Sequence, residues 1–233
     1  MRQIIALGGG GFSMEPDNPL LDLYILGQSN KSKPKICFIP TASGDSDNYI
    51  SRFYHSFEKQ NCHSSHLSLF KPPTRDLEGY ILDKDIVYVG GGNTKNLLAL
   101  WKEWGLDSIM RKAWDQGIIL AGISAGSICW FEEGVTDSYG EGLEPLRCLG
   151  FLKGSNCPHY DGEAERRPSY HKLIQSEMIK AGVAADDGVA VHYIEQELSH
   201  IVSSRPRAKA YKIIHSDHGI IEEEIPTRYL GSI

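Results

Sequence analysis

The chain has no run approaching the roughly 18 apolar residues that a bilayer-crossing helix needs, so a membrane span is not expected. It also lacks a surplus of positive charge. Its 24 Lys and Arg stand against 30 Asp and Glu, a formal net charge of −6. That balance argues against nucleic-acid binding by phosphate neutralisation. Cysteine is sparse and unpaired in pattern. The five residues Cys37, Cys62, Cys129, Cys148 and Cys157 contain no C-x-x-C, so free thiols are expected in place of a disulfide framework or a structural zinc site. His63-x-x-His66 and His215-x-x-His218 have no third ligand nearby and read as solvated loop or strand-end residues, so no metal is expected. The glycines Gly8 to Gly11 do not form G-x-G-x-x-G, and no dinucleotide or other cofactor is expected. Met1-Arg2-Gln3 leads straight into a strand-like run without the apolar core of a signal peptide, and a cytoplasmic location is expected.

What the chain does contain is ordinary for a globular α/β protein: 233 residues, 41% hydrophobic and 23% charged, enough for one domain spanning 1–233 with a full core. Short apolar runs at Gln3–Leu7, Lys35–Ile39, His66–Phe70, Asp85–Val89 and Ile118–Ala121 read as strands. Helical spacing recurs over Asn18–Leu26, Asn48–Gln60, from Leu97 to Trp101 and over Ile109–Trp114. Strand and helix alternate, which predicts a mostly parallel sheet covered by helices on both faces. Such sheets bind ligands outside the carboxyl ends of their strands. The glycine loops Gly8–Gly11 and Gly90–Gly92 fall at such ends. From Glu132 the chain turns polar, a helix is expected over Tyr170–Ala181, and short strands at Val189–His192 and Ile201–Ser203 follow. Ala210–Ile214 and Gly219–Glu222 predict a closing hairpin around Ser216-Asp217 that finishes the sheet.

The chain is organised around Gly122-Ile123-Ser124-Ala125-Gly126-Ser127. An apolar run, a small-residue turn and a return to helical spacing place Ser124 at the apex of a strand–turn–helix, with Gly122 and Gly126 where the two backbones nearly touch. This is the pattern of a nucleophile elbow. A serine needs a base, and a histidine base needs an acid to set its tautomer. Among nine histidines, His159 stands out, since Pro158 fixes its entry and its neighbours are polar. Asp137, Asp161, Asp186 and Asp187 are the candidate acids. The Ala125 N–H and a glycine amide from Gly91 or Gly92 are suited to an oxyanion hole.

Gly90-Gly91-Gly92-Asn93-Thr94, Gly122-Ile123-Ser124-Ala125-Gly126 and Cys157-Pro158-His159-Tyr160 occur in the order and at the spacing found in the peptidase E family of serine peptidases, which includes aspartyl dipeptidases and, more distantly, cyanophycinases. The resemblance runs from the first strand to about Ser204. It implies a flavodoxin-like three-layer sandwich similar to class I glutamine amidotransferases, with serine in place of their cysteine. It implies Ser124 as nucleophile and His159 as base. The family's acid is usually a glutamate in a segment matching Ala185-Asp186-Asp187-Gly188, where this chain offers Asp187; Asp137 is the alternative. Cleavage after an N-terminal aspartate would require a cation. Arg166 and Arg167 are candidates for it, with Asn93 as a further substrate-binding residue. The implied function is a serine exopeptidase on small peptides. The competing readings are a catalytically silent peptide- or metabolite-binding member and a serine esterase or amidase. Whether the chain forms a homodimer is left open by the sequence.

Overall fold

The computed structural model describes residues 1–231. Its first half alternates as expected. Gln3–Leu7 forms β1, followed by a one-turn helix Gly11–Met14 (α1) and by Leu20–Leu26 (α2). Then come Lys35–Ile39 (β2), Asp47–Phe57 (α3), His63–His66 (β3), Leu77–Leu82 (α4), Ile86–Val89 (β4), Thr94–Trp104 (α5), Leu106–Asp115 (α6), Ile119–Ile123 (β5) and the short helix Ala125–Ile128 (α7). The five strands run parallel in the order β3-β2-β4-β5-β1. Four of them, all but the edge strand β3, are apolar on both faces because helices cover both. Ile4, Val87 and Leu120 pack with Trp101, Met110 and Trp114 from α5 and α6. Their neighbours Ile5, Ile86 and Ile119 pack on the other side with Leu21, Phe53 and Phe57 from α2 and α3. The result is the three-layer α/β sandwich.

The second half departs from the expectation that it only completes this sheet. Phe131–Thr136 (β6), Glu144–Arg147 (β7) and Leu152–Cys157 (β8) precede Arg166–Gln175 (α8). Gly182–Ala185 (β9), Val189–Ile194 (β10), Glu197–Ser203 (β11), Ala210–Ser216 (β12), Gly219–Ile225 (β13) and Arg228–Tyr229 (β14) follow. Only β10, β11 and β14 extend the main sheet beyond β1, giving eight strands. The others form a separate six-stranded sheet, β13-β12-β9-β8-β6-β7, with its own core of Val135, Tyr160, Tyr170, Leu173 and Ile213. The hairpin lies there. The reason is compositional: β7 carries Glu144 and Arg147, β8 Lys153, β12 Lys212 and β13 the run Glu222–Glu224, charges that a sheet buried on both faces does not accept.

Boundaries also move. The strand expected at His66–Phe70 lies at His63–His66, before the Pro72-Pro73 break. The helix expected over Tyr170–Ala181 begins at Arg166, because Pro168 falls in the first turn, where no N–H is needed. It ends at Gln175, and Glu177 just beyond adopts a left-handed φ of 56°. Among the described residues no helix is long and apolar enough to cross a membrane, and no group of three His, Cys, Asp or Glu is placed to hold a metal ion.

Candidate active site

Ser124 is the single residue between the end of β5 and the start of α7, with φ 55° and ψ −113°. A non-glycine residue holds such a conformation only where its surroundings over-determine it. Here the Ser124 N–H donates to the Leu7 carbonyl at 3.2 Å, and its own carbonyl accepts from Ser127 and Ile128 at 2.8 and 2.9 Å. The turn is as tight as its glycines imply. A Cβ on Gly122 would stand 2.2 Å from the Gly126 carbonyl oxygen, and one on Gly126 would stand 2.2 Å from that of Val89. The strain leaves the Ser124 hydroxyl half-exposed at the carboxyl edge of the sheet. Cys129, at the far end of α7, is buried, and burial holds its thiol well above the usual range. It is no nucleophile.

His159 reaches the same place from β8, also with a left-handed φ, 54°. Its N–H donates to the Gly8 carbonyl at 3.1 Å, one residue along from the carbonyl that holds Ser124. Its Nδ1 meets Asp187 Oδ1 at 2.6 Å, with both side chains largely buried. An ionised carboxylate can only accept, so in the neutral imidazole the proton sits on Nδ1 and the lone pair on Nε2. Among the described residues no hydrogen bond joins Ser124 Oγ to the ring. Asp187 sits in the loop between β9 and β10 and is fixed in turn. Its N–H donates to Asp161 Oδ1 at 2.7 Å, and the loops at Gly9 and Gly162 close over its two carboxylate oxygens.

The other candidates separate clearly. Asp137 is an exposed turn residue. Asp161 supports the Asp187 backbone, while Asp186 accepts the Lys209 N–H at 2.9 Å and is pushed up to about 6 by burial. The Gly91 amide, a candidate oxyanion donor, already donates to the Tyr49 hydroxyl at 3.2 Å. The amides of Gly92 and Ala125 donate to no protein group among the described residues. Asn93 caps α5 through its carbonyl oxygen, at 2.8 Å from the Asn96 N–H, and its NH2 donates to the Ser138 carbonyl. Both ends of that side chain are occupied by structure.

Neither candidate arginine is free to receive a substrate carboxylate. Arg166 is only 2% exposed. It donates to Glu163 Oε2 at 2.6 Å and to the Val135 carbonyl at 3.0 Å, tying α8 to β6. Arg167 makes a two-bond pair with Glu222, which also accepts from the Tyr160 hydroxyl at 2.6 Å. Its guanidinium lies 4.9 Å from the ring centres of both Tyr160 and Tyr211. The signal that hid this is positional: Glu163 is three residues from Arg166, but Glu222 lies in a distant hairpin.

The sequence profile of peptidase family S51 matches residues 4–201, a span that contains Ser124, His159 and Asp187. The chain belongs to peptidase family S51. It is accordingly a serine-type peptidase. It is 62% identical over 231 residues to the uncharacterized peptidase YgaJ of Bacillus subtilis (strain 168), covering 99% of this chain and 100% of that one. Among solved structures, a peptidase from an acI-B1 Actinobacterium superposes with a TM-score of 0.72 at 17% identity, covering 97% of this chain and 95% of the other. A Listeria monocytogenes EGD-e protein named as a peptidase E superposes at 0.63, also at 17% identity, covering 97% and 100%. At that identity both show a shared fold.

Proposed function

We propose that this peptidase is a cytoplasmic serine exopeptidase that cleaves small peptides through an acyl-enzyme on Ser124. One observation carries the reading. The imidazole of His159 is bound to Asp187 at 2.6 Å, and its backbone hangs from the carbonyl next to the one that holds Ser124. With Nδ1 committed to Asp187, the free lone pair on Nε2 takes the proton from Ser124 Oγ as Oγ attacks the peptide carbonyl. Asp187 stabilises the imidazolium that forms. The tetrahedral oxyanion is received by the amides of Ala125 and Gly92. Collapse expels the amine, which takes the proton from His159, and water attacks the acyl-enzyme with the same base. The hydrogen bond between Ser124 and His159 forms when substrate fills the site, as catalytic bonds commonly do.

Action on short peptides rests on the resemblance of the three sequence motifs to dipeptidases. A preference for N-terminal aspartate needs a cation other than Arg166 and Arg167. The test is labelling with a neutral fluorophosphonate, read by mass spectrometry. The adduct should map to Ser124 in the wild type and vanish in Ser124→Ala, whose peptide hydrolysis should fall by several orders of magnitude. Unchanged hydrolysis by folded Ser124→Ala would overturn the reading.

A further inference from the structure

Three contacts lead from Ser124 to a cation on the rim of its site. A Cβ on Gly91 would lie 3.2 Å from Ser124 Cβ and 3.8 Å from Oγ, so the two residues face each other. The Gly91 N–H donates to the Tyr49 hydroxyl at 3.2 Å, and that hydroxyl is 2.7 Å from Ser13 Oγ. Arg52, one turn along α3 from Tyr49, lies with its guanidinium 4.9 Å from the Tyr49 ring centre and donates from Nη1 to the Ser13 carbonyl at 3.0 Å. A helical side chain leans toward its own N-terminus. The N-terminus of α3 follows the carboxyl end of β2, so Arg52 is aimed at the edge of the sheet where Ser124 stands.

Arg52 differs from Arg166, Arg167 and Arg205 in what it has left to give. Arg166, Arg167 and Arg205 are each paired with a carboxylate, Glu163, Glu222 and Glu15 respectively. Arg52 is exposed and forms no ion pair among the described residues. One hydrogen bond and the Tyr49 ring fix its plane, and its remaining N–H groups stay unspent. A guanidinium stacked on an aromatic ring is pre-organised for a two-bond contact with a carboxylate. The overall charge of −6 repels acidic peptides at long range, so any selection for one has to be made by such a local cation.

We propose that Arg52 is a specificity residue that receives a carboxylate of the peptide bound at Ser124. The proposal rests on the reading of Ser124 as the nucleophile. An extended residue spans about 3.5 Å, so two groups of a short peptide place a carboxylate within about one residue of the scissile bond. They are the side chain of an N-terminal aspartate and the C-terminal α-carboxylate of a dipeptide.

The experiment measures how strongly Asp-Leu, Asn-Leu and Asp-Leu-amide slow fluorophosphonate labelling of Ser124, within wild type, Arg52→Gln and Arg52→Lys separately. In the wild type at least one comparison should favour the carboxylate by about 10-fold. Asp-Leu over Asn-Leu identifies the side chain, and Asp-Leu over its amide identifies the terminus. That ratio should collapse toward one in Arg52→Gln and recover in part in Arg52→Lys. A merely structural role would weaken all three peptides together and leave the ratios in place. Equal protection by all three in the wild type, or an undiminished ratio in Arg52→Gln, overturns the proposal. Absence of labelling in the wild type overturns the Ser124 reading and this inference with it.

Discussion

Replacing Asp22 by asparagine should stabilise the protein at neutral and alkaline pH and leave it unchanged in acid. Asp22 lies on α2 beneath the glycine loop that follows β1 and is only 3% exposed. Its Oδ1 has no hydrogen-bond partner among the described residues, and neither has the buried hydroxyl of Tyr88. Both atoms lie 3.0 Å from where a Cβ on Gly11 would be. Burial, reinforced by Glu15, pushes the Asp22 carboxyl up to about 7 from an ordinary 3.8. The folded pKa therefore exceeds the unfolded one, and between those values the folded state binds the extra proton. Stability falls as pH rises through that window and stays low above it.

At about 1.36 kcal/mol per pH unit, the cost approaches ~4 kcal/mol at alkaline pH. Asparagine keeps the shape, abolishes the ionisation and brings an NH2 that can pair with a neighbouring oxygen. Urea unfolding of the two proteins should thus diverge from near zero at about pH 4 to roughly 2–4 kcal/mol at about pH 8. Other titrating groups contribute to both proteins and drop out of the difference. They include His192, which burial lowers to about 4 and which costs stability as pH falls. A difference that does not change with pH would refute the reasoning.

At the candidate site, Asp187→Asn should lower kcat by about 10⁴ by removing the fixed tautomer, while Asp137→Asn at its exposed turn should change kcat less than twofold; swapped effects would reassign the acid. Asp187→Glu should not restore the wild-type rate, because the Gly9 and Gly162 loops leave no room for another methylene. Gly126→Ala puts a Cβ 2.2 Å from a backbone carbonyl and should cost more than about 3 kcal/mol by urea unfolding; a smaller loss would show that α7 can shift.

Local patterns in the first half made that half of the fold legible. A short apolar run such as Ile86–Val89, bounded by turn residues, reads as a strand buried on both faces, and the spacing in Asp47–Phe57 puts its apolar residues on one side of a helix. Gly122 announced the elbow because the constraint it satisfies, against the Gly126 backbone, lies within five consecutive residues, whereas that on Gly126 comes from distant Val89. The second sheet was hidden for the complementary reason. Glu144–Arg147 and Lys153–Asn156 have no apolar run, and the second of them pairs in parallel with strands outside its own neighbourhood, Ser155 lying opposite Glu133 and Gly182. The same distinction holds at the site. Ser124 and His159 stand in short motifs, whereas the occupation of the Gly91 amide by Tyr49 and of Arg167 by Glu222 depends on contacts 42 and 55 residues apart. No spacing in the sequence encodes those.

The four glycines after β1 were legible as a loop but not as the hub of the site. Leu7 and Gly8 present consecutive carbonyls to the backbones of Ser124 and His159. A Cβ on Gly8 would stand 2.4 Å from the carbonyl oxygens of Ala185 and Asp186, and one on Gly9 would overlap Asp187 Oδ1 at 2.0 Å. The strand end therefore holds the serine and the histidine directly and lets the acid's loop close against it. The short carboxylate of Asp187 meets His159 at 2.6 Å and packs directly against two glycines, Gly9 and Gly162.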